Sequence, residues 1–141
     1  MPFVLDYSVA ISWCMADEDN PYANAIWAFI SENEAVIPGV FWLEIVNVLL
    51  VAERRGRITQ ANTTETLARL RALRIVVDTN ISQPSLDATL ELSRQYNLAA
   101  YDAAYLELAI RENLLLATID NRLAEAARKC NVLLENPTIE T

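Results

Sequence analysis

The sequence predicts an α/β fold, a single-domain three-layer α/β/α sandwich built around a parallel sheet. Three observations lead there. Short apolar runs alternate along the chain with longer segments whose apolar positions recur at the helical period. Runs such as Phe3-Val4-Leu5 and Ile75-Val76-Val77 lack the polar alternation of a strand with one wet face, so they read as strands covered on both sides. The chain has 141 residues, 53% of them hydrophobic and 21% charged, which is the size and balance of one globular domain. No repeat, low-complexity segment or linker divides it, so residues 1–141 are taken as one domain.

The elements follow in order. Phe3-Val4-Leu5 is the first strand and ends at Asp6. Residues 8–15 (SVAISWCM) read as a helix for which Ser8 offers an N-cap oxygen. Asn20-Pro21 opens the second helix, with Asn as cap and Pro at the first helical position; Ala23, Ile26, Trp27 and Ile30 supply its apolar stripe. Residues 35–38 are the second strand. Residues 40–55 form a long helix, apolar on all sides except at Glu44 and Asn47 and ended near Gly56; such a helix is expected to be largely buried. An amphipathic helix runs from residue 59 or 60 to 73, with Leu67 and Leu70 inward and Arg69, Arg71 and Arg74 outward. Ile75-Val76-Val77 is the third strand. Helices over 84–96 and 99–113 precede a fourth strand over 114–117. A last helix over 121–129 leads to a fifth strand over 132–134.

Composition removes several chemistries. There is no histidine, so no Ser–His or Cys–His dyad exists within the chain. Two glycines, Gly39 and Gly56, rule out a P-loop and a GxGxxG fingerprint. Cys14 and Cys130 do not make a disulfide framework, and the opening Met1-Pro2-Phe3-Val4-Leu5-Asp6 has no basic region before its first acid. No apolar run approaches the ~20 residues of a membrane span. The expectation is a cytoplasmic protein with reduced thiols. The 19 acidic residues outnumber 11 Lys and Arg, giving a net charge of −8. Such a chain repels nucleic acid on average, so chemistry on a phosphodiester needs positive charge added at the site.

The run Asp17-Glu18-Asp19 reads as a solvated loop. Four other acids stand where acids are costly. Asp6 follows the first strand and Asp120 the fourth, and in open α/β sheets ligands bind outside the carboxyl ends of strands. Helix capping is the competing reading for both. Glu44 interrupts an apolar helix together with Asn47, three residues on and on the same face; a salt bridge to an arginine is its competing reading. Asp102 sits among Leu98-Ala99-Ala100-Tyr101 and Ala103-Ala104-Tyr105-Leu106, near a helix start. A divalent cation would tolerate four clustered carboxylates. Oxygen ligands without His or Cys suit Mg²⁺ or Mn²⁺, whose chemistry on a phosphoryl group needs no protein nucleophile.

At these residues the chain resembles the PIN-domain family, and within it VapC-like toxins. The stretches are Val4-Leu5-Asp6-Tyr7-Ser8, Pro38 through Leu43-Glu44-Ile45-Val46-Asn47, Tyr101-Asp102-Ala103-Ala104-Tyr105-Leu106, and Leu116-Ala117-Thr118-Ile119-Asp120-Asn121-Arg122. The resemblance implies a five-stranded parallel sheet and Mg²⁺- or Mn²⁺-dependent endonucleolytic cleavage of RNA. It also implies a homodimer neutralised by a small VapB-like antitoxin. It matches Asp6, Glu44, Asp102 and Asp120 to the metal-site acids, and Ser8, Asn47 and Thr118 to supporting polar positions, with Asn47 expected to orient Glu44. Arg54, Arg55 and Arg57 are either a solvated basic face or a contact strip for RNA or antitoxin. Where relatives often carry Gly before the last strand this chain has Asn131, a residue that also tolerates positive φ. Two rivals stand beside this reading: a catalytically silent PIN-like binding module, and another Mg²⁺-dependent phosphohydrolase. A haloacid-dehalogenase-like enzyme needs DxD after the first strand, and position 8 is Ser.

Overall fold

The computed structural model describes residues 1–15 and 18–137; Asp17 of the acidic run lies outside the described residues. In chain order the elements are β1 (Phe3–Leu5), α1 (Tyr7–Cys14), α2 (Pro21–Phe29), β2 (Ala35–Pro38), α3 (Val40–Arg54), α4 (Gln60–Arg71), β3 (Ile75–Asp78), α5 (Gln83–Tyr96), α6 (Ala100–Glu112), β4 (Leu116–Ala117) and α7 (Asn121–Lys129). The punctuation is chemical. Asn20 accepts from the Ala23 N–H at 2.9 Å with Pro21 beside it, and Thr59 and Asn62 cap the start of α4 reciprocally. Asn97, Asn113 and Asn131 each adopt left-handed backbone with φ of 53°, 55° and 59°. Asn131 thus makes the turn that glycine would otherwise make.

The four strands are parallel, in the order β3-β2-β1-β4. Val4 pairs with Val36 on one side and Leu116 on the other. The chain steps outward from β1 to β2 and β3, then returns to the far side of β1 as β4. The order therefore reverses between β1 and β4, and in open α/β sheets ligands bind outside the carboxyl ends of the strands at such a switch point. Phe3, Val4 and Leu5 are all buried. α6 packs on β1, β2 and β4 and carries α5 and α7 against it, while α3 packs on β2, α1 and α4. Tyr105, Leu106, Leu108 and Ala109 of α6 are core residues.

The structure corrects four expectations. The sheet has four strands, not five: the segment after α7 contributes only a bridge between Leu116 and Leu133. β4 is two residues long, so it offers little edge to pair with. β3 is an edge strand with Val76 and Val77 exposed, so this margin of the sheet is uncovered. α3 is not buried all round, since Leu43 is 71% exposed and Val46 is also exposed. Finally, α1 starts at Tyr7, and Ser8 lies inside the helix rather than capping it. Among the described residues no helix is long and apolar enough to cross a membrane, and both cysteines are free.

Candidate active site

Asp6 directly follows β1 at this switch point and is 1% exposed. It occupies the N-cap position of α1 but makes no capping hydrogen bond. Its Oδ2 instead accepts from Ser8 Oγ at 2.5 Å and from Thr118 Oγ1 at 2.8 Å. Its Oδ1 is buried without a hydrogen-bond partner. Burial pushes the carboxyl up to about 6 against the pull of the two hydroxyls, and the charges of Asp102 and Asp120 add to the rise.

The same two hydroxyls tie the end of β4 to this acid. Ser8 Oγ accepts from the Ile119 N–H at 3.2 Å, and Thr118 Oγ1 accepts from the Asp120 N–H at 3.0 Å. Asp120 caps α7, its Oδ1 accepting from the Leu123 N–H at 2.9 Å. The capping reading thus holds for Asp120 and fails for Asp6.

Glu44 reaches the site from α3. Its carboxyl is pushed up to about 7, first by burial and then by the charges of Asp6 and Asp102. Its partner is a tyrosine, not an arginine: Tyr105 Oη donates to Glu44 Oε1 at 2.7 Å. Asp102 lies in the first turn of α6 and is raised by desolvation and by Asp120, with Arg122 opposing. Burial raises the hydroxyl of the half-buried Tyr7, and the charges of all four carboxylates raise it further. Asp6, Glu44, Asp102, Asp120, Ser8 and Thr118 are therefore gathered at one place.

The remaining candidates lie elsewhere. Asn47 does not hold Glu44; it lines a cavity of about 240 Å³ with Val48, Val51, Arg55 and Arg57. Among the described residues Tyr105 alone hydrogen-bonds Glu44. Arg54, Arg55 and Arg57 are exposed at the end of α3. A cavity of about 540 Å³ between α1, α3 and α4 includes Arg57 and Arg69 in its lining and none of the four acids. Tyr105 was missed because a tyrosine in an apolar helix reads as core. Its spacing, one turn after Asp102 on the same face, was the available signal.

The donor set fits a hard divalent cation. It holds only oxygen, includes a buried carboxylate oxygen left unpartnered, and its carboxyls are raised by burial and then by one another's charge. Among the described residues no three such groups form a ready-made metal cage. Mg²⁺ asks for less than a cage, since it keeps several waters and uses one or two carboxylates.

A parallel α/β domain with clustered acids at its switch point is thus the class to which this chain belongs. The PIN domain family model matches residues 3–129, and the chain is a member of that family. No curated protein matches it in sequence. Among solved structures it is similar to VapBC2 from Rickettsia felis bound to a DNA fragment from their promoter, with a TM-score of 0.67 at 18% identity over 96% of this chain and 98% of that one. It is similar to VapC20 of Mycobacterium tuberculosis, described as a sarcin–ricin loop cleaving toxin, with a TM-score of 0.64 at 12% identity over 88% and 94% of the two chains. FitAcB from Neisseria gonorrhoeae matches with a TM-score of 0.63 at 19% identity over 97% and 98%. At these identities the likeness is one of fold.

Proposed function

We propose that this chain is a Mg²⁺- or Mn²⁺-dependent endoribonuclease, the toxin of a VapBC-like pair. The observation that carries the reading is Asp6: a carboxylate buried at the switch point, with one oxygen held by two hydroxyls, the other unpartnered, and three more acids around it. Asp6, Asp102 and Asp120 hold the cation directly or through water, and Glu44 is a further ligand or the base for the attacking water. When bound, the ion supplies positive charge opposite the phosphoryl oxygens and eases deprotonation of water. Ser8 and Thr118 orient Asp6. Glu44, its carboxylate held by the Tyr105 hydroxyl, is placed to accept a proton from that water. The net charge of −8 makes the cation necessary for holding RNA at this spot.

RNA as substrate is supported by the family and by the described activity of VapC20. A small VapB-like antitoxin is supported by the likeness to the VapBC2 structure. Arg54, Arg55 and Arg57 form an exposed basic strip suited to either partner. A homodimer is supported by the apolar margin of Val76, Val77, Ile81, Leu86 and Leu90, all exposed around β3 and α5. The test is cleavage of structured RNA by the purified protein in Mg²⁺, Mn²⁺ or EDTA, with D6N as control. Cleavage is expected only with the metals and only in the wild type. Activity that persists in EDTA or in D6N overturns the mechanism.

A further inference from the structure

We propose that Tyr105 is a positioning residue for Glu44, fixing that carboxylate where it meets the cation or the attacking water; the proposal rests on the nuclease reading above. Tyr105 is 0% exposed and is among the largest fully buried side chains. Its ring is core, and a phenylalanine would fill the same space. The hydroxyl is what needs explaining, because a buried hydroxyl is kept only where it has partners. It donates to Glu44 Oε1 at 2.7 Å, across 61 positions of sequence.

One hydrogen bond therefore joins α6 to α3. These elements carry two of the four acids: Asp102 one turn before Tyr105, and Glu44 as its direct acceptor. Among the described residues Glu44 has no ion pair, and no other hydrogen bond restrains it. Without the Tyr105 hydroxyl, the Glu44 side chain regains its rotamers and the distance between the α3 and α6 acids is no longer held. Tyr105 touches neither metal nor substrate in this account; it acts through Glu44. Outer partners of metal ligands typically cost 10–100-fold in metal affinity or activity when removed.

The experiment compares wild type, Y105F, E44A and Y105F/E44A for the Mn²⁺ dissociation constant by calorimetry, and for kcat and KM on RNA. Phe keeps the ring and its packing. Y105F is expected to bind Mn²⁺ about 10-fold more weakly and to lose kcat by a similar factor, with KM for RNA close to wild type. On the E44A background the same change should add no further loss of Mn²⁺ affinity. Wild-type Mn²⁺ affinity and kcat in Y105F, with only a lowered melting temperature, overturn the proposal. So does an equal loss on the E44A background. A wild type that neither binds Mn²⁺ nor cleaves RNA overturns the nuclease reading itself, and this proposal with it.

Discussion

The C-terminal half of α6 carries Glu107, 5% exposed, and its N-terminal half brings Asp102 beside Asp6, which is 1% exposed. The two buried acids are handled differently. Arg111 donates to Glu107 Oε1 at 2.7 Å and Oε2 at 3.2 Å, and to Asp78 Oδ2 at 2.7 Å; Ser85 Oγ adds 2.7 Å to Glu107. Every charge there has a partner, and the network clamps α6 to β3 and α5. Around Asp6 there are two hydroxyls, an unpartnered oxygen and three further acids; among the described residues only the exposed Arg122 opposes them, and then at Asp102. A buried acid that serves the fold is given a guanidinium. One without it is costly unless a cation from outside completes it.

That contrast can be broken. The largest expected effect is on the clamped side: Arg111→Met leaves Glu107 buried without its cation and should cost about 3 kcal/mol in urea unfolding. Cleavage per folded molecule should be retained. Next is Asp6→Asn, which should lower RNA cleavage by more than about 100-fold, beyond the range for outer-shell partners. The same change should stabilise the metal-free protein at neutral pH, because the amide removes a buried charge yet still accepts from Ser8 and Thr118. A D6N protein that melts below the metal-free wild type would place Asp6 in the structural class with Glu107.

The smallest effect is the pH dependence of the metal-free fold. Asp6 and Glu44 titrate higher in the native state than their ordinary values of 3.8 and 4.5. The native state therefore holds their protons more tightly than the unfolded chain. The stability they contribute is full below about pH 4 and is lost as pH rises through about 6 to 7. Chemical unfolding across pH 4–8 in EDTA measures this. Saturating Mn²⁺ should remove the decline.

The sequence displayed these acids more clearly than it displayed their surroundings. Asp6, Glu44 and Asp102 were legible because each interrupts apolar residues, where a charge demands a reason. Strand order was not legible, yet the switch point that gathers Asp6 and Asp120 depends on it. The expected fifth strand is reduced to a single bridge: β4 is two residues long, and Leu133 pairs with Leu116 alone. Asn47 shares a helix with Glu44 but belongs to the cavity of Arg55 and Arg57, and the work expected of it falls to Tyr105. Helical spacing gives neighbours along one helix. It does not give a hydroxyl arriving from another.

The most direct test of the central claim is a Mn²⁺ titration of wild type, D6N and D78N by calorimetry. Wild type and D78N are expected to bind and D6N to lose binding, since the proposed cation site consists of the acids that lack an arginine. Binding that survives in D6N, or that disappears in D78N while D6N keeps it, would overturn that assignment.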